Sequence, residues 1–131
     1  MIEIWKKIEN IDGNYEISNT GKVKRNSYQK KTVDGIITTV PEQISFGHEN
    51  AGGYLIYTFN RNGKKINKLI HRLVAEAFIP NPENKPQVDH IDTNIKNNIV
   101  TNLRWATAYE NSNNPLTIEN NRRRQKMLRH Y

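Results

Sequence analysis

The sequence lacks cysteine altogether. This absence excludes a disulfide framework, a cysteine-ligated zinc site and a cysteine nucleophile. Long apolar runs are missing as well: 35% of the residues are hydrophobic, and no stretch approaches the roughly 18 apolar residues that a membrane-spanning helix requires. Residues 1–7 do not have the pattern of a secretory signal peptide. From its 131 residues we expect one compact domain or two very small ones, cytoplasmic and without a membrane partner.

Positive charge is in excess. There are 20 Lys and Arg residues against 13 Asp and Glu residues, which gives a formal net charge of +7. Three clusters contain basic residues and no acidic ones: Lys22, Lys24, Arg25, Lys30 and Lys31; Arg61, Lys64, Lys65, Lys68 and Arg72; and Arg122, Arg123, Arg124, Lys126 and Arg129. One such cluster is usually a solvated face that favours solubility. Three in a small chain favour a nucleic-acid backbone as partner.

The first half of the chain predicts short strands. Tyr54–Phe59 is rich in β-branched and aromatic residues, and it is followed by Asn62-Gly63, the dipeptide typical of a type I′ hairpin turn. Shorter segments with strand character are Trp5–Ile8, Tyr15–Ile17 and Val23–Arg25. We therefore expect residues 1–66 to form an antiparallel, meander-like sheet with a basic rim.

One helix is predicted shortly after this region. Apolar residues recur at helical spacing from Ile70 through Leu73, Val74 and Ala77 to Phe78. Pro80 should end this helix, because the residue before a proline is disfavoured in the α conformation.

The next segment predicts a strand, a loop, a second strand and a helix. Residues 88–92 and 102–107 form the expected strands, and residues 93–98 the polar loop between them. Thr107 should cap the following helix, with Glu110 completing a capping box. Such a unit can fold around one metal ion. It would bring Asp89 and His90 together with Asn111, which is far from them in sequence.

These side chains suit phosphodiester hydrolysis. A histidine with its ordinary pKa of roughly 6.5 is matched to deprotonating water near neutral pH. A carboxylate and an amide supply hard oxygen ligands for a divalent cation, and so few protein ligands favour Mg²⁺, which keeps several waters. Because Asp89 and His90 are adjacent, an extended strand would point them to opposite faces, so we expect a local twist or bulge.

The pattern also matches a known family. The residues that carry the likeness are Val88-Asp89-His90-Ile91-Asp92, Asn97-Asn98, Asn102-Leu103-Arg104-Trp105 and Asn111, preceded by His71-Arg72-Leu73-Val74-Ala75. In order and spacing they resemble the HNH nuclease motif of phage and intron-encoded homing endonucleases. Ile4–Ile8, Gly13–Gly21 and Val23 resemble the NUMOD-like, DNA-binding module found at the N-termini of those enzymes. Zinc-braced variants of the motif are excluded, since cysteine is absent.

The resemblance implies an α+β fold in three parts: an N-terminal module (1–66), an HNH domain (67–114) and a basic C-terminal helix or tail (115–131). It implies that His90 activates water, that Asp89 and Asn111 hold Mg²⁺ or Mn²⁺, and that Asn102 holds the loop through backbone hydrogen bonds. Asn113 and Asn114 stand close enough to replace Asn111 if the helix register shifts. Asp92 is expected to brace the loop, and His71 to have a structural or phosphate-contacting role.

The expected activity is cleavage or nicking of duplex DNA by a monomer or homodimer, leaving a 3′ hydroxyl and a 5′ phosphate. Predicted DNA contacts are Lys24, Arg25, Arg61, Lys64, Lys65, Lys68, Arg72, Arg104, Arg122, Arg123 and Arg124. The main alternative is a non-catalytic DNA-binding regulator on the same scaffold. A structural or RNA-binding basic protein is a third, which the clusters allow but the ordered motif does not explain.

Overall fold

The computed structural model describes residues 1–119 and 122–123. The strands are β1 (Trp5–Lys7), β2 (Tyr15–Ser18), β3 (Val23–Arg25), β4 (Tyr28–Lys31), β5 (Ile37–Val40), β6 (Gln43–Ser45), β7 (His48–Glu49), β8 (Leu55–Arg61), β9 (Lys64–Leu69), β10 (Gln87–His90) and β11 (Leu103–Ala106). The helices are α1 (Ile70–Phe78) and α2 (Ala108–Ser112), with a 3-10 turn at Val100–Asn102. Residues 115–119 are also helical. In the described ranges no helix is long and apolar enough to cross a membrane.

The strands are antiparallel, as expected, but they do not form a single meander. A four-stranded sheet has the order β1-β2-β3-β6, and a three-stranded sheet has the order β7-β8-β9. The chain leaves the first sheet after Arg25, forms the β4–β5 hairpin, and returns as β6 beside β3. The hairpin is thus inserted within the first sheet, and the second sheet begins only after β6. The predicted single sheet is wrong in that respect. The predicted α+β fold class is confirmed.

The predicted hairpin turn is present between β8 and β9. Asn62 and Gly63 both have positive φ angles, 52° and 77°, as a type I′ turn requires. Their N–H groups donate to the two carboxylate oxygens of Asp12 at 3.1 Å each. The N-terminal segment is thereby fastened to the second sheet.

Helix α1 is the centre of the core. It begins at Ile70 and ends at Phe78, shortly before Pro80, as the periodicity predicts. Its buried face belongs to one cluster with apolar side chains from both sheets and from β10 and β11: Ile17, Val23, Phe59, Val88 and Leu103. Each fully buried side chain of this size contributes about 1.5–3 kcal/mol. The predicted division at residues 66/67 falls within β9 and remains a prediction.

Candidate active site

Strands β10 and β11 form a two-stranded ribbon that carries the central residues of the site. We call it the catalytic ribbon. Asp89 pairs with Arg104, and His90 with Leu103, in an unbroken antiparallel register. Of the expected twist or bulge, the bulge is therefore absent from this strand. Asp89 and His90 are only 4% and 5% exposed, yet both line the same cleft, since the strand ends at His90 and the chain turns there.

The loop after His90 is held by the carboxylate of Asp92. This group accepts hydrogen bonds from the backbone N–H of Asn94 at 2.8 Å, from Asn97 Nδ2 at 2.8 Å and from Asn102 Nδ2 at 2.9 Å. The hydrogen bond from Asn97, with those from Asn94 and Asn102, lowers the pKa of Asp92. Asp92 thus braces the loop, as predicted.

Asn102 connects the same loop to the start of β11. Its Nδ2 also donates to the carbonyl oxygen of Asn97 at 2.9 Å, and its Oδ1 accepts from the backbone N–H of Asp92 at 3.0 Å. Its own carbonyl accepts from the N–H of Ile91 at 2.8 Å. The two ends of the loop are therefore tied together through one side chain.

The ring of His90 is fixed in one orientation. Its Nε2 lies 2.8 Å from Oδ1 of Asn98, which is itself only 4% exposed. Because an amide oxygen accepts hydrogen bonds and does not donate them, Nε2 carries the hydrogen and Nδ1 keeps a free lone pair. This tautomer leaves Nδ1 as the basic atom of the ring.

Two further rings pack around His90. The ring centroid of His71 lies 4.8 Å from that of His90 in an edge-on arrangement, and Tyr54 contacts both rings at 5.5 and 6.3 Å. Burial, with the nearby charges of His90 and Arg72, lowers the pKa of His71 to about 4. His71 is therefore neutral at neutral pH. Its Nδ1 is buried without a hydrogen-bond partner among the described residues.

The carboxylate of Asp89 is held from two sides. Its Oδ2 accepts from Arg104 Nε at 2.9 Å and from Asn114 Nδ2 at 2.9 Å. The Asn114 amide nitrogen thus binds the carboxylate, while its Oδ1 accepts from the N–H of Leu116 at 3.0 Å. Both hydrogen bonds end on Oδ2, and Asp89 still lines the cleft.

Asn111 reaches the cleft from helix α2. That helix is capped as predicted, because Thr107 accepts from the N–H of Glu110 and Glu110 accepts from the N–H of Thr107, both at 3.1 Å. Nδ2 of Asn111 donates to Oε1 of Gln87 at 3.1 Å. This contact turns the amide nitrogen toward β10 and leaves the amide oxygen as the available ligand atom.

The donor set fits a hard divalent cation. In the described part of the chain, no three His, Cys, Asp or Glu side chains lie close enough together to hold a metal ion. A carboxylate and an amide oxygen instead line one cleft of about 520 Å³. Hard divalent cations that keep several waters bind through few protein oxygens, with the remaining positions left to water and phosphate.

Two of the predicted DNA contacts lie next to the cleft. Arg72 lines it, and its guanidinium group lies over the Trp105 ring at 5.4 Å and donates to the carbonyl of Pro86 at 2.7 Å. Arg104 pairs with Asp89 while its side chain stays 44% exposed. Both guanidinium groups are therefore positioned by contacts within the chain.

The remaining predicted contacts are spread over the surface. Lys24 lies 4.1 Å from the Trp5 ring, and Arg25 packs over Tyr28. Exposed or half-buried positions on β8 and β9 carry Arg61, Lys64, Lys65 and Lys68. Arg122 and Arg123 are exposed, and Arg124 lies outside the described residues.

Several residues of the site were not assigned a role from the sequence. Asn98 and Asn114 position His90 and Asp89, and Tyr54 comes from the second sheet. Gly21 approaches Asn98 so closely that a Cβ added there would lie 2.9 Å from Asn98 Cβ. The N–H of Val100 also donates to the carbonyl of Asn19 at 2.9 Å. For Asn98 the sequence signal was its place in the Asn97-Asn98 pair of the motif; contacts between distant segments have no fixed spacing, so its partner could not be named.

Comparison with known protein families agrees with this geometry. The family model described as HNH endonuclease matches residues 68–113, and the NUMOD4 motif matches residues 3–72. The chain carries a NUMOD4 motif over more than half of its length and an HNH endonuclease domain after it, which confirms the resemblance seen in its motifs.

Individual relatives make the placement more specific. The chain is 34% identical over 113 residues to the DNA endonuclease I-HmuI of Bacillus phage SP01, covering 86% of this chain and 58% of that protein. It is 38% identical over 117 residues to the uncharacterized HNH endonuclease L245 of Acanthamoeba polyphaga mimivirus, covering 89% of this chain and 31% of that protein. A solved structure described as DNA binding and cleavage by the HNH homing endonuclease I-HmuI matches with a TM-score of 0.61 at 32% identity, covering 93% of this chain and 59% of that one. The chain therefore spans less than two thirds of these relatives.

Proposed function

We propose that this chain hydrolyses phosphodiester bonds in double-stranded DNA with the help of a bound divalent cation. The observation that carries the proposal is the convergence of Asp89, His90 and Asn111 on one cleft, with the His90 ring held by Asn98. The names of the relatives, DNA endonucleases among them, support DNA as the substrate.

In this proposal His90 is the general base. Nδ1 accepts a proton from the attacking water, while Asn98 holds Nε2 and the rings of His71 and Tyr54 prevent the imidazole from turning away. General base catalysis of this kind contributes about 10²- to 10⁴-fold to a rate. His71 is neutral at neutral pH, so it adds no positive charge beside His90.

Asp89 and Asn111 would hold the cation, Mg²⁺ or Mn²⁺. When bound, it supplies positive charge that stabilises the phosphate and the departing oxygen, typically by several kcal/mol. Arg104 and Asn114 keep the Asp89 carboxylate in place, and Gln87 accepts from the amide nitrogen of Asn111, which leaves the amide oxygen for the cation. Asn102 acts on the loop through hydrogen bonds and does not contact the reacting atoms.

The basic surface would bind the DNA backbone. Arg72 and Arg104 stand at the cleft, and the other predicted contacts extend this surface away from it. Binding through phosphates depends steeply on salt. We propose that the protein acts on DNA as a monomer or a homodimer inside the cell, with residues 1–66 as the DNA-binding module and 67–114 as the nuclease domain.

Conversion of supercoiled plasmid tests the proposal. We expect relaxed or linear DNA in Mg²⁺ and none in excess chelator. The variant His90→Ala should lose at least about a hundredfold in rate, because it removes the general base. It should keep its DNA affinity, because all the Lys and Arg side chains proposed to contact DNA remain. His48→Ala, on the exposed strand β7, is the matched control and should cleave like the natural protein.

The same assay separates the alternative. A non-catalytic DNA-binding regulator would bind the plasmid in a salt-dependent manner and leave it supercoiled in every metal tested. The proposal is wrong if the natural protein gives that result, or if His90→Ala cleaves normally. Unchanged DNA with no binding would point instead to an RNA-binding or structural role.

A further inference from the structure

The amide of Asn98 holds the His90 ring, but few contacts hold the amide itself. Its Oδ1 lies 2.8 Å from Nε2 of His90, and its Nδ2 is buried without a hydrogen-bond partner among the described residues. The orientation of a buried amide with a free nitrogen is set by the atoms packed around its Cβ and backbone, because protein interiors leave few voids. The position of the His90 ring therefore depends on what packs against Asn98.

The segment that packs there is the turn between β2 and β3, residues 18–22, here called the Gly21 turn. A Cβ added to Gly21 would lie 2.9 Å from Asn98 Cβ and 3.2 Å from the Asn98 carbonyl oxygen. Real Cβ atoms essentially never approach closer than 3.0 Å, so a methyl group does not fit. Because position 21 has no side chain, the turn lies directly against the residue that holds His90.

Hydrogen bonds fix the Gly21 turn within the first sheet. Ser18 is fully buried; its Oγ accepts from the N–H of Lys22 at 3.0 Å, and its carbonyl accepts from the N–H of Gly21 at 3.1 Å. The side chain of Asn19, which is 6% exposed, accepts from the N–H of Ile4 at 2.9 Å. The turn is thus held by both the sheet and the N-terminal segment, and it forms a firm support for the loop.

A second contact joins the turn to the same stretch of chain. The N–H of Val100 donates to the carbonyl of Asn19 at 2.9 Å, two residues beyond Asn98. The close packing of Gly21 and this hydrogen bond together determine where the backbone at Asn98 lies. A displacement of the turn would therefore be transmitted to the amide and from it to the His90 ring.

We propose that Gly21 is a positioning residue for the general base: through Asn98 it fixes the direction and the tautomer of the His90 ring. The N-terminal module then completes the active site in addition to any contact it makes with DNA. This inference rests on the proposed function for the role of His90. It predicts that the contact between Gly21 and Asn98 affects the rate of the chemical step and leaves DNA affinity unchanged.

Gly21→Ala tests the proposal, with Gly35→Ala as its matched control. The two glycines have φ angles of 89° and 81°, and each donates its N–H to the carbonyl three residues earlier, at 3.1 Å and 2.9 Å. An added methyl group therefore causes similar backbone strain at both positions. At position 35 it would meet only Lys31 Cε at 3.6 Å, an ordinary contact. The difference between the variants thus isolates the overlap with Asn98.

Two readouts separate positioning from a general loss of structure. Nitrogen NMR of the histidine rings in the DNA-free full chain shows which ring nitrogen carries the hydrogen, and the His90 signals are those lost in His90→Ala. Single-turnover nicking at saturating DNA measures the rate independently of binding. We expect the hydrogen on Nε2 in the natural protein and in Gly35→Ala. Gly21→Ala should show both tautomers of His90 and a rate about tenfold lower, because small displacements of a reacting group have large effects on rate.

A double variant tests whether Gly21 acts through Asn98. Asn98→Ala already lacks the acceptor of the ring, so adding Gly21→Ala should change the rate little further. Effects that multiply would mean that Gly21 acts by another route, and the proposal would be wrong. Ser18→Ala loosens the Gly21 turn without adding an atom, and it should change the tautomers of His90 in the same direction but by less.

The proposal is also overturned if Gly21→Ala keeps the His90 tautomer and the rate of Gly35→Ala. Should Gly21→Ala not fold, Ser18→Ala decides, and an unchanged tautomer in that variant would overturn the proposal. A natural protein that cleaves DNA in no metal, while Gly21→Ala changes the tautomer of His90, would overturn the proposed function alone, since the NMR readout does not depend on cleavage.

Discussion

The catalytic ribbon and the hairpin of β4 and β5, here called the outer ribbon, have the same local construction. Each consists of two antiparallel strands of four residues, paired along their whole length. In the catalytic ribbon, Asp89 and His90 are almost completely buried and each is held by other side chains. In the outer ribbon the corresponding polar side chains point into solvent. Catalysis needs groups whose positions are fixed before substrate arrives, and burial against other side chains provides this.

The difference arises from what packs against each ribbon. Helix α1 covers the catalytic ribbon, and Val88 and Leu103 belong to the main core. No described element covers the outer ribbon, and among the described residues only its base is packed, where Arg25 lies over the Tyr28 ring. Strand pairing alone therefore says little about function; the burial of the ribbon decides which role its polar residues can have.

The largest effect is expected when His90 loses the hydrogen bond that fixes its ring in the catalytic ribbon. Asn98→Ala removes the acceptor of Nε2, and we expect a fall of about a hundredfold in single-turnover nicking rate because small displacements of a reacting group have effects of that size. Asn98→Asp keeps an acceptor oxygen and should lose less. Asn67→Ala removes an acceptor of similar geometry, 2.7 Å from Thr58 Oγ1 on the second sheet, and should leave the rate unchanged.

A smaller effect is expected from pH. The pKa of His71 is about 4 in the folded protein, below its ordinary value of 6.5, so the unfolded chain binds this proton more readily between those values. Stability should therefore fall as pH decreases through this window, by about 2 kcal/mol from this group between pH 8 and pH 5. Urea unfolding of the natural protein and of His71→Gln measures the difference. Equal pH dependence in the two proteins would contradict the expectation.

The smallest effect is expected on stability, when an apolar side chain of the outer ribbon is shortened. Ile37→Ala on the outer ribbon should change the free energy of unfolding by no more than about 0.5 kcal/mol, since this side chain is 65% exposed. Val88→Ala on the catalytic ribbon should cost about 1 to 3 kcal/mol, because that side chain is buried in the core. Thermal or urea unfolding compares the two. A large loss for Ile37→Ala would mean that the outer ribbon is part of the core after all.

Much of the fold was predictable where a local rule applies. The apolar spacing from Ile70 to Phe78 predicted α1, Thr107 and Glu110 predicted the start of α2, and Asn62-Gly63 predicted the hairpin turn. The division into two sheets was not predictable, since residues 27–50 contain strands too short and too polar to show a clear period. The outer ribbon was missed for the same reason.

In the site, too, some residues were predictable from the sequence and others were not. The sequence identified Asp89, His90 and Asn111 as a set because their types and spacing match one kind of chemistry, and the roles proposed for them remain to be tested. It expected a bulge between Asp89 and His90, which the continuous register of the strand does not contain. It could not assign Asn98, Asn114 or Tyr54, because each acts through a contact between segments that only folding brings together.

The sequence by itself determined the family, the fold class, the excess of positive charge and the residue types available for chemistry. These follow from composition and from patterns that extend over a few residues. Only the tertiary structure decided which nitrogen of His90 is free, which oxygen of Asp89 is already engaged, and which of two similar ribbons is buried. Those properties depend on neighbours distant in sequence, because orientation and burial are set by the side chains that meet in space.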